Sequence, residues 1–107
     1  MENLGELEYQ LLLALLHLGS ESYAVPLVQT LDEKIGRRVS PTGAYTVLRR
    51  LEKRGFVTSR VGPSTAERGG RPKRIFRLTG RALTAIRKTH GELHTLWQGL
   101  EEFLEDA

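Results

Sequence analysis

Glycines at 19, 36 and 55 each close a stretch of helical periodicity, and the three stretches follow one another in the first half of the chain. Leu4, Leu7, Leu11, Leu15 and Leu18 recur at three and four residues, with Leu12 and Leu16 widening the stripe. This predicts an amphipathic helix over residues 4–18, ended by Gly19. Leu27, Leu31 and Ile35 mark a second helix, closed by Gly36. Its Pro26 is tolerable only in the first turn, where an amide has no intrahelical partner. Ser40 followed by Pro41 starts a third helix, a hydroxyl cap before a residue whose φ is already helical. Ala44, Val47, Leu48 and Leu51 form its inward face, leaving Thr42, Tyr45, Thr46, Arg49, Arg50 and Lys53 outside. Helices this short are marginal alone, so they must bury their stripes against one another.

Two β-prone runs follow, residues 56–61 and 74–78, separated by Gly62, Pro63, Ser64, Gly69, Gly70 and Pro72. The pattern predicts a hairpin with a long basic tip. Thr79 can cap a last helix running to about Leu104, about 36 Å long. Leu83, Ile86, His90, Leu93, Trp97, Leu100 and Leu104 step alternately by three and four, a heptad seam interrupted by His90. The expected fold is mainly α with a small β-hairpin: a winged helix-turn-helix over residues 1–79 and a long dimerisation helix over residues 80–107, forming one compact unit. In that arrangement the third helix turns its outer face to a major groove ~12 Å wide.

Charge points the same way. Fifteen of the sixteen Lys and Arg residues lie between Arg37 and Lys88 with only Glu52 and Glu67 among them, a formal +13. The two flanks hold Lys34 against eleven acids, or −10. Such asymmetry suits a polyanionic partner, with double-stranded DNA the first candidate. The acidic flanks read as the solvent sides of helices that bury Leu, keeping the far end of the molecule away from phosphate.

The segments YTVLRRLEKRG (residues 45–55) and ERGGRPKRIFRLT (residues 67–79) resemble the PadR-like family of bacterial transcriptional regulators. The first is similar to the family's Tyr-x-x-Leu-x-Arg-Leu-Glu segment running into Gly and the first wing strand; the second is similar to its wing and second strand. The resemblance spans about residues 5–104 and is nearest to compact members with a single C-terminal dimerisation helix. It implies a homodimer, a palindromic operator, repression, and release by a small-molecule effector.

Within that frame Ser40, Thr42, Tyr45, Thr46 and Arg49 are the expected DNA-facing residues of the recognition helix, with Arg50 and Lys53 as phosphate contacts. Arg49 could meet a guanine edge or a phosphate. In the wing, Arg68 and Arg71 are candidates for a narrow minor groove, whose negative potential attracts inserted Arg, while Lys73 and Arg74 suit phosphate. Leu83, Ile86, Leu93, Trp97, Leu100 and Leu104 are the expected dimerisation residues. The first of them cap the domain core, and the later ones lie too far out for a domain this small to cover. Trp97 is also the candidate contact for a planar aromatic ligand between subunits.

Other chemistries find little purchase. There is no Cys, which excludes disulfides and thiolate metal sites and fits a cytoplasmic chain. The longest apolar run, residues 11–16, is far short of the ~20 residues of a membrane span. Glu2, Glu6 and Glu8 stand where a signal peptide carries Lys or Arg. His90 and His94 have a metal-sharing spacing but no third ligand at a fixed offset, and His17 reads as a helix-end residue, so no metal or cofactor is expected. No nucleophile constellation or phosphate-binding loop exists, so the chain is not expected to be an enzyme. Two alternatives remain beside the specific regulator: a nonspecific architectural DNA-binding protein, and a winged-helix module for protein or RNA.

Overall fold

The three helical periods fold where their spacing places them. In the computed structural model, which describes residues 3–63 and 72–105, α1 spans Glu6–His17, α2 Ala24–Ile35 and α3 Pro41–Lys53. Leu11, Leu12, Ala14 and Leu15 of α1 are buried, whereas Leu16 and Leu18 are exposed. Leu16 lies about 140° around the helix from Leu11, at ~100° per residue, and so falls past the edge of the covered arc. Leu18 is the C-cap, where the chain already turns away. Ile35, the last residue of α2, is exposed for a similar reason. Buried Thr30 is satisfied by donating to the Pro26 carbonyl at 2.9 Å.

Ser40 caps α3 by accepting from the Gly43 amide at 2.9 Å, with Pro41 at the first helical position. At the other end Gly55 takes φ +83°, a left-handed conformation in which a Cβ is strained. This lets the Gly55 and Phe56 amides donate back to the Glu52 and Leu51 carbonyls, both at 3.0 Å. The turn satisfies two free helix carbonyls and delivers Phe56 into the core beside Leu51, with both side chains fully buried.

The hairpin pairs β2, Val57–Val61, with β3, Arg74–Leu78, in the register Val57↔Leu78 through Val61↔Arg74. A third strand was not predicted. β1, Glu21–Ser22, joins the free edge of β3, giving the order β1-β3-β2. Two polar residues carry no alternation to detect, and the pairing arises because Ser20 turns the chain at φ +72° and accepts from the Leu78 amide at 3.0 Å. One face of the sheet, including Val57, Phe76 and the Ser59 position, lies against the helices; Thr58, Arg60, Ile75 and Arg77 alternate to the other.

Thr79 begins α4, Gly80–Trp97, accepting from the Ala82 amide at 3.3 Å while its hydroxyl lies 2.7 Å from the Gly55 carbonyl. The helix does not run on to Leu104 as the heptad suggested. Gln98 is extended and Gly99 takes φ +87°, so α4 stops and a separate turn, α5 at Glu102–Glu105, follows. Leu100 and Leu104 therefore leave the straight seam of Leu83, Ile86, Leu93 and Trp97. Apolar spacing passed smoothly through a glycine that the backbone uses as a stop. Only the first part of α4 reaches the core, through Ala82, Ala85 and Ile86. From His90 to Glu105 every described residue is exposed. The fold is a winged helix-turn-helix with an added terminal helix.

Candidate nucleic-acid interface

The outer face of α3 and the base of the hairpin form one surface. Thr42 and Tyr45 line a concavity of about 310 Å³ together with Pro41, the start of α2 at Tyr23, Ala24 and Val25, and Lys73 and Arg74 of the hairpin. Four residues predicted from separate parts of the sequence thus share one site. Two aromatic contacts fix its walls. The Tyr45 ring packs edge-on against Phe76, with centroids 5.8 Å apart, and the Lys73 ammonium sits 4.1 Å from the Tyr23 ring centroid. Tyr45 is therefore only partly a free outward residue, at 39% exposed. Tyr23 carried no sequence signal for this role, because its contact depends on how the hairpin returns over α2.

Beyond Tyr45 the surface continues through a polar relay. Arg49 Nη1 lies 3.2 Å from Glu52 Oε1, and Ser59 Oγ donates to Glu52 Oε2 at 2.6 Å. Arg74 Nη1 in turn donates to Ser59 Oγ at 3.0 Å. The arginine expected to meet DNA alone is thus held by an acid three residues on, a spacing at which helical neighbours touch. Glu52 and Ser59 were not among the expected site residues. The i,i+3 offset from Arg49 was the available signal for the first, while Ser59 needs the sheet register.

Thr42, Thr46, Arg50 and Lys53 are exposed, as expected of the groove-facing side, but Thr46 donates its hydroxyl to the Thr42 carbonyl at 3.1 Å. Neither Arg50 nor Lys53 forms an ion pair among the described residues. Ser40 serves as the helix cap. Arg68 and Arg71 lie outside the described residues.

The Transcriptional regulator PadR-like family matches residues 12–88. The chain belongs to that family. A PadR family transcriptional regulator from Eggerthella lenta DSM 2243 is 26% identical, with a TM-score of 0.67 over 91% of this chain and 82% of that one. Another, from Clostridium difficile R20291, is 16% identical with a TM-score of 0.67, covering 90% of this chain and 97% of that one. A winged-helix DNA-binding protein from STIV is 14% identical with a TM-score of 0.70, covering 92% and 98% respectively. The last two, at such low identity, speak to the fold alone. No curated protein matches by sequence.

The PadR-like chain spends part of its basic block on its own scaffold. Arg37 pairs with Glu6 at 2.9 Å, Arg54 with Glu8 at 3.0 Å, and Arg60 with Glu21 at 2.6 Å. Three acids of the N-terminal flank, expected to face solvent, thus neutralise three cations of the middle. The reason is proximity in the fold, which no local pattern reveals: α1 comes near the α2–α3 loop that carries Arg37 and the C-cap of α3 at Arg54, and Glu21 on β1 reaches Arg60 on β2 across β3. Arg54 and Arg81 also lie over the Phe56 ring, at 5.0 and 5.3 Å from its centroid.

Of the expected dimerisation residues, Ile86 is buried and Leu83 half-buried within this PadR-like chain, while Leu93, Trp97, Leu100 and Leu104 are exposed. Leu96 and Phe103 are exposed as well. The His90 and His94 rings stack in parallel with centroids 6.5 Å apart. Among the described residues no three His, Cys, Asp or Glu converge, and no helix is long and apolar enough to cross a membrane.

Proposed function

We propose that this PadR-like regulator acts as a homodimer that binds a palindromic DNA operator and represses by covering it. The observation that carries the reading is the shared concavity, in which Thr42 and Tyr45 of α3 face the same way as Lys73 and Arg74 of the hairpin. A helix face of Thr, Tyr and Arg fits a major groove, and the hairpin beside it lies toward the flanking minor groove. Ser40, Thr46, Arg50 and Lys53, on or beside α3, supply phosphate contacts, and Arg68 and Arg71, which lie outside the described residues, join them from the segment between the hairpin strands. Two such surfaces related by a two-fold axis reach half-sites about 34 Å apart. Occupying an operator blocks polymerase without further apparatus.

The second copy docks on the apolar face of α4 and the segment after it. Leu93, Trp97, Leu100 and Leu104 are exposed there, and a cluster of exposed large apolar side chains of this kind marks a protein contact surface. Trp97, at that interface, is the contact for a small aromatic effector whose binding alters the spacing of the two α3 helices.

The test is selection of duplexes from a randomised pool, followed by titration of the recovered sequence against random DNA of equal length. A specific regulator prefers the selected duplex by a factor of ~10³ or more and selects a palindrome. Equal affinity for both duplexes marks a nonspecific architectural protein. Binding to neither marks a winged helix used for protein or RNA. Salt dependence alone does not separate the first two, because both make phosphate contacts.

A further inference from the structure

An acid on a surface that meets phosphate opposes binding unless it serves another end, and Glu52 is such an acid. Both of its oxygens are engaged, and in different directions. Oε1 faces Arg49 along α3 at 3.2 Å, while Oε2 leaves the helix to accept from Ser59 on β2 at 2.6 Å. Arg74 of β3 donates to the same Ser59 hydroxyl at 3.0 Å. The polarity of this relay is fixed. Arginine can only donate and an ionised carboxylate can only accept, so the single Ser59 proton points to Glu52 and its lone pairs to Arg74. The Arg49 and Glu52 side chains are 43% and 28% exposed, and a pair so open stabilises a fold little. Its consequence lies in where the two arginines are held.

We propose that Glu52 is a positioning residue that sets Arg49 and Arg74 for DNA readout and shifts the balance from indiscriminate to specific binding. The proposal rests on the DNA-binding reading above. An unrestrained arginine swings to any nearby phosphate, a contact that carries no sequence information. The ion pair with Glu52 confines the Arg49 guanidinium to one side of α3, which favours a bidentate contact to a base edge over an unrestrained search for phosphate. The same carboxylate cancels one positive charge on the α3 face, which lowers the gain from sequence-independent contacts. Through Ser59 the constraint extends to the hairpin, so the helix arginine and the wing arginine are set as a pair.

Glu52→Gln removes the charge while keeping the side-chain length. Two probes serve: the duplex selected by the wild-type chain and a random-sequence duplex of the same length. The expected variant binds random DNA more tightly, with a salt slope steeper by about 0.9 for one added phosphate contact. Its preference for the selected duplex falls about tenfold, within the range that one bidentate base contact supplies. Ser59→Ala, which leaves Arg49 and Glu52 together, gives a smaller loss of preference. If Glu52→Gln weakens both duplexes equally or changes neither, the proposal is overturned. A second readout needs no DNA: arginine side-chain NMR exchange in the free protein. Faster exchange at both Arg49 and Arg74 in Glu52→Gln supports the relay, and an unchanged Arg74 signal overturns it. A wild-type chain that selects no duplex defeats the DNA reading instead, while the free-protein spectra still judge the relay.

Discussion

The Tyr45 ring meets the Phe76 ring edge to face, with centroids 5.8 Å and planes 75° apart, which ties the outer face of α3 to the middle of the hairpin. Phe76 is fully buried and Tyr45 is 39% exposed, so the Tyr45 ring belongs partly to the scaffold, while the proposed function gives its hydroxyl a part in DNA contact. The two parts are separable by substitution. Tyr45→Phe keeps the ring pair and should change stability by less than about 0.5 kcal/mol, yet weaken binding to the selected duplex. Tyr45→Ala also loses the aromatic pair and should cost about 1–2 kcal/mol of stability. Urea denaturation and duplex titration of both variants provide the check. Equal destabilisation by the two would mean that the hydroxyl, not the ring, anchors the helix.

On the opposite face of the sheet, Arg60 grips Glu21 with two hydrogen bonds of 3.0 and 2.6 Å, spanning from β2 across β3 to β1. Hydrogen bonding to Arg60 lowers the Glu21 pKa below its usual 4.5, partly opposed by desolvation, with the charges of Arg60 and Arg77 adding to the decrease. A carboxylate whose folded-state pKa is depressed contributes stability above its unfolded pKa. That contribution is lost as pH falls through the folded value. Wild-type stability should therefore drop below the usual carboxylate range by more than that of Glu21→Gln, and the two melting curves should converge in acid. The pair is exposed, so about 1 M salt should shrink the difference. Parallel pH profiles for the two proteins would show that β1 is held by its backbone alone.

Sequence legibility tracked how local each determinant is. The limits of α3 are written in adjacent residues, Ser40 and Pro41 at one end and Gly55 at the other, and the structure places both stops there. The inward positions Ala44, Leu48 and Leu51 follow from helical spacing alone. The convergence of Thr42 and Tyr45 with Lys73 and Arg74 was legible as a fold-level inference, because a hairpin following a recognition helix returns beside it. What stayed hidden depends on tertiary placement. The partners of Arg37, Arg54 and Arg60 come from residues 31, 46 and 39 positions away, and β1 exists only because β3 offers it an edge. Gly99 misled for a different reason. A heptad records side-chain spacing and is blind to a backbone φ that ends the helix.

The wing predictions concern Arg68 and Arg71. Replacing both with Ala should weaken binding to selected and random duplexes alike and make the salt slope shallower by roughly one to two, one unit for each phosphate-region contact removed. Minor-groove insertion adds a further expectation. The loss should be larger when the flanking sequence is an A·T tract, whose narrow groove has the stronger negative potential. Titrations with A·T and G·C flanks test this, and unchanged affinity in both would remove the wing from the binding surface.

The terminal segment gives the sharpest separation between fold and assembly. Leu93 and Trp97 are 49% and 45% exposed and lie beyond Ile86, the last buried residue of α4, so they contribute little to the core of one chain. The Leu93→Glu, Trp97→Glu double variant should keep each chain folded with a cooperative melt, because surface changes away from the core of a single chain stay within about 0.5 kcal/mol. The same double variant should abolish association, since it sets like charges into an apolar seam already bordered by Glu92 and Glu101. Sedimentation equilibrium should then give twice the 12.0 kDa chain mass for the wild type and the single mass for the variant. Affinity for a palindrome should fall by ~10² or more, as the second half-site is no longer engaged at a high effective concentration, while affinity for a single half-site stays the same. If the variant still sediments as a dimer, the interface lies elsewhere. If the variant is monomeric but its affinity for the palindrome is unchanged, the two recognition helices do not act as a linked pair.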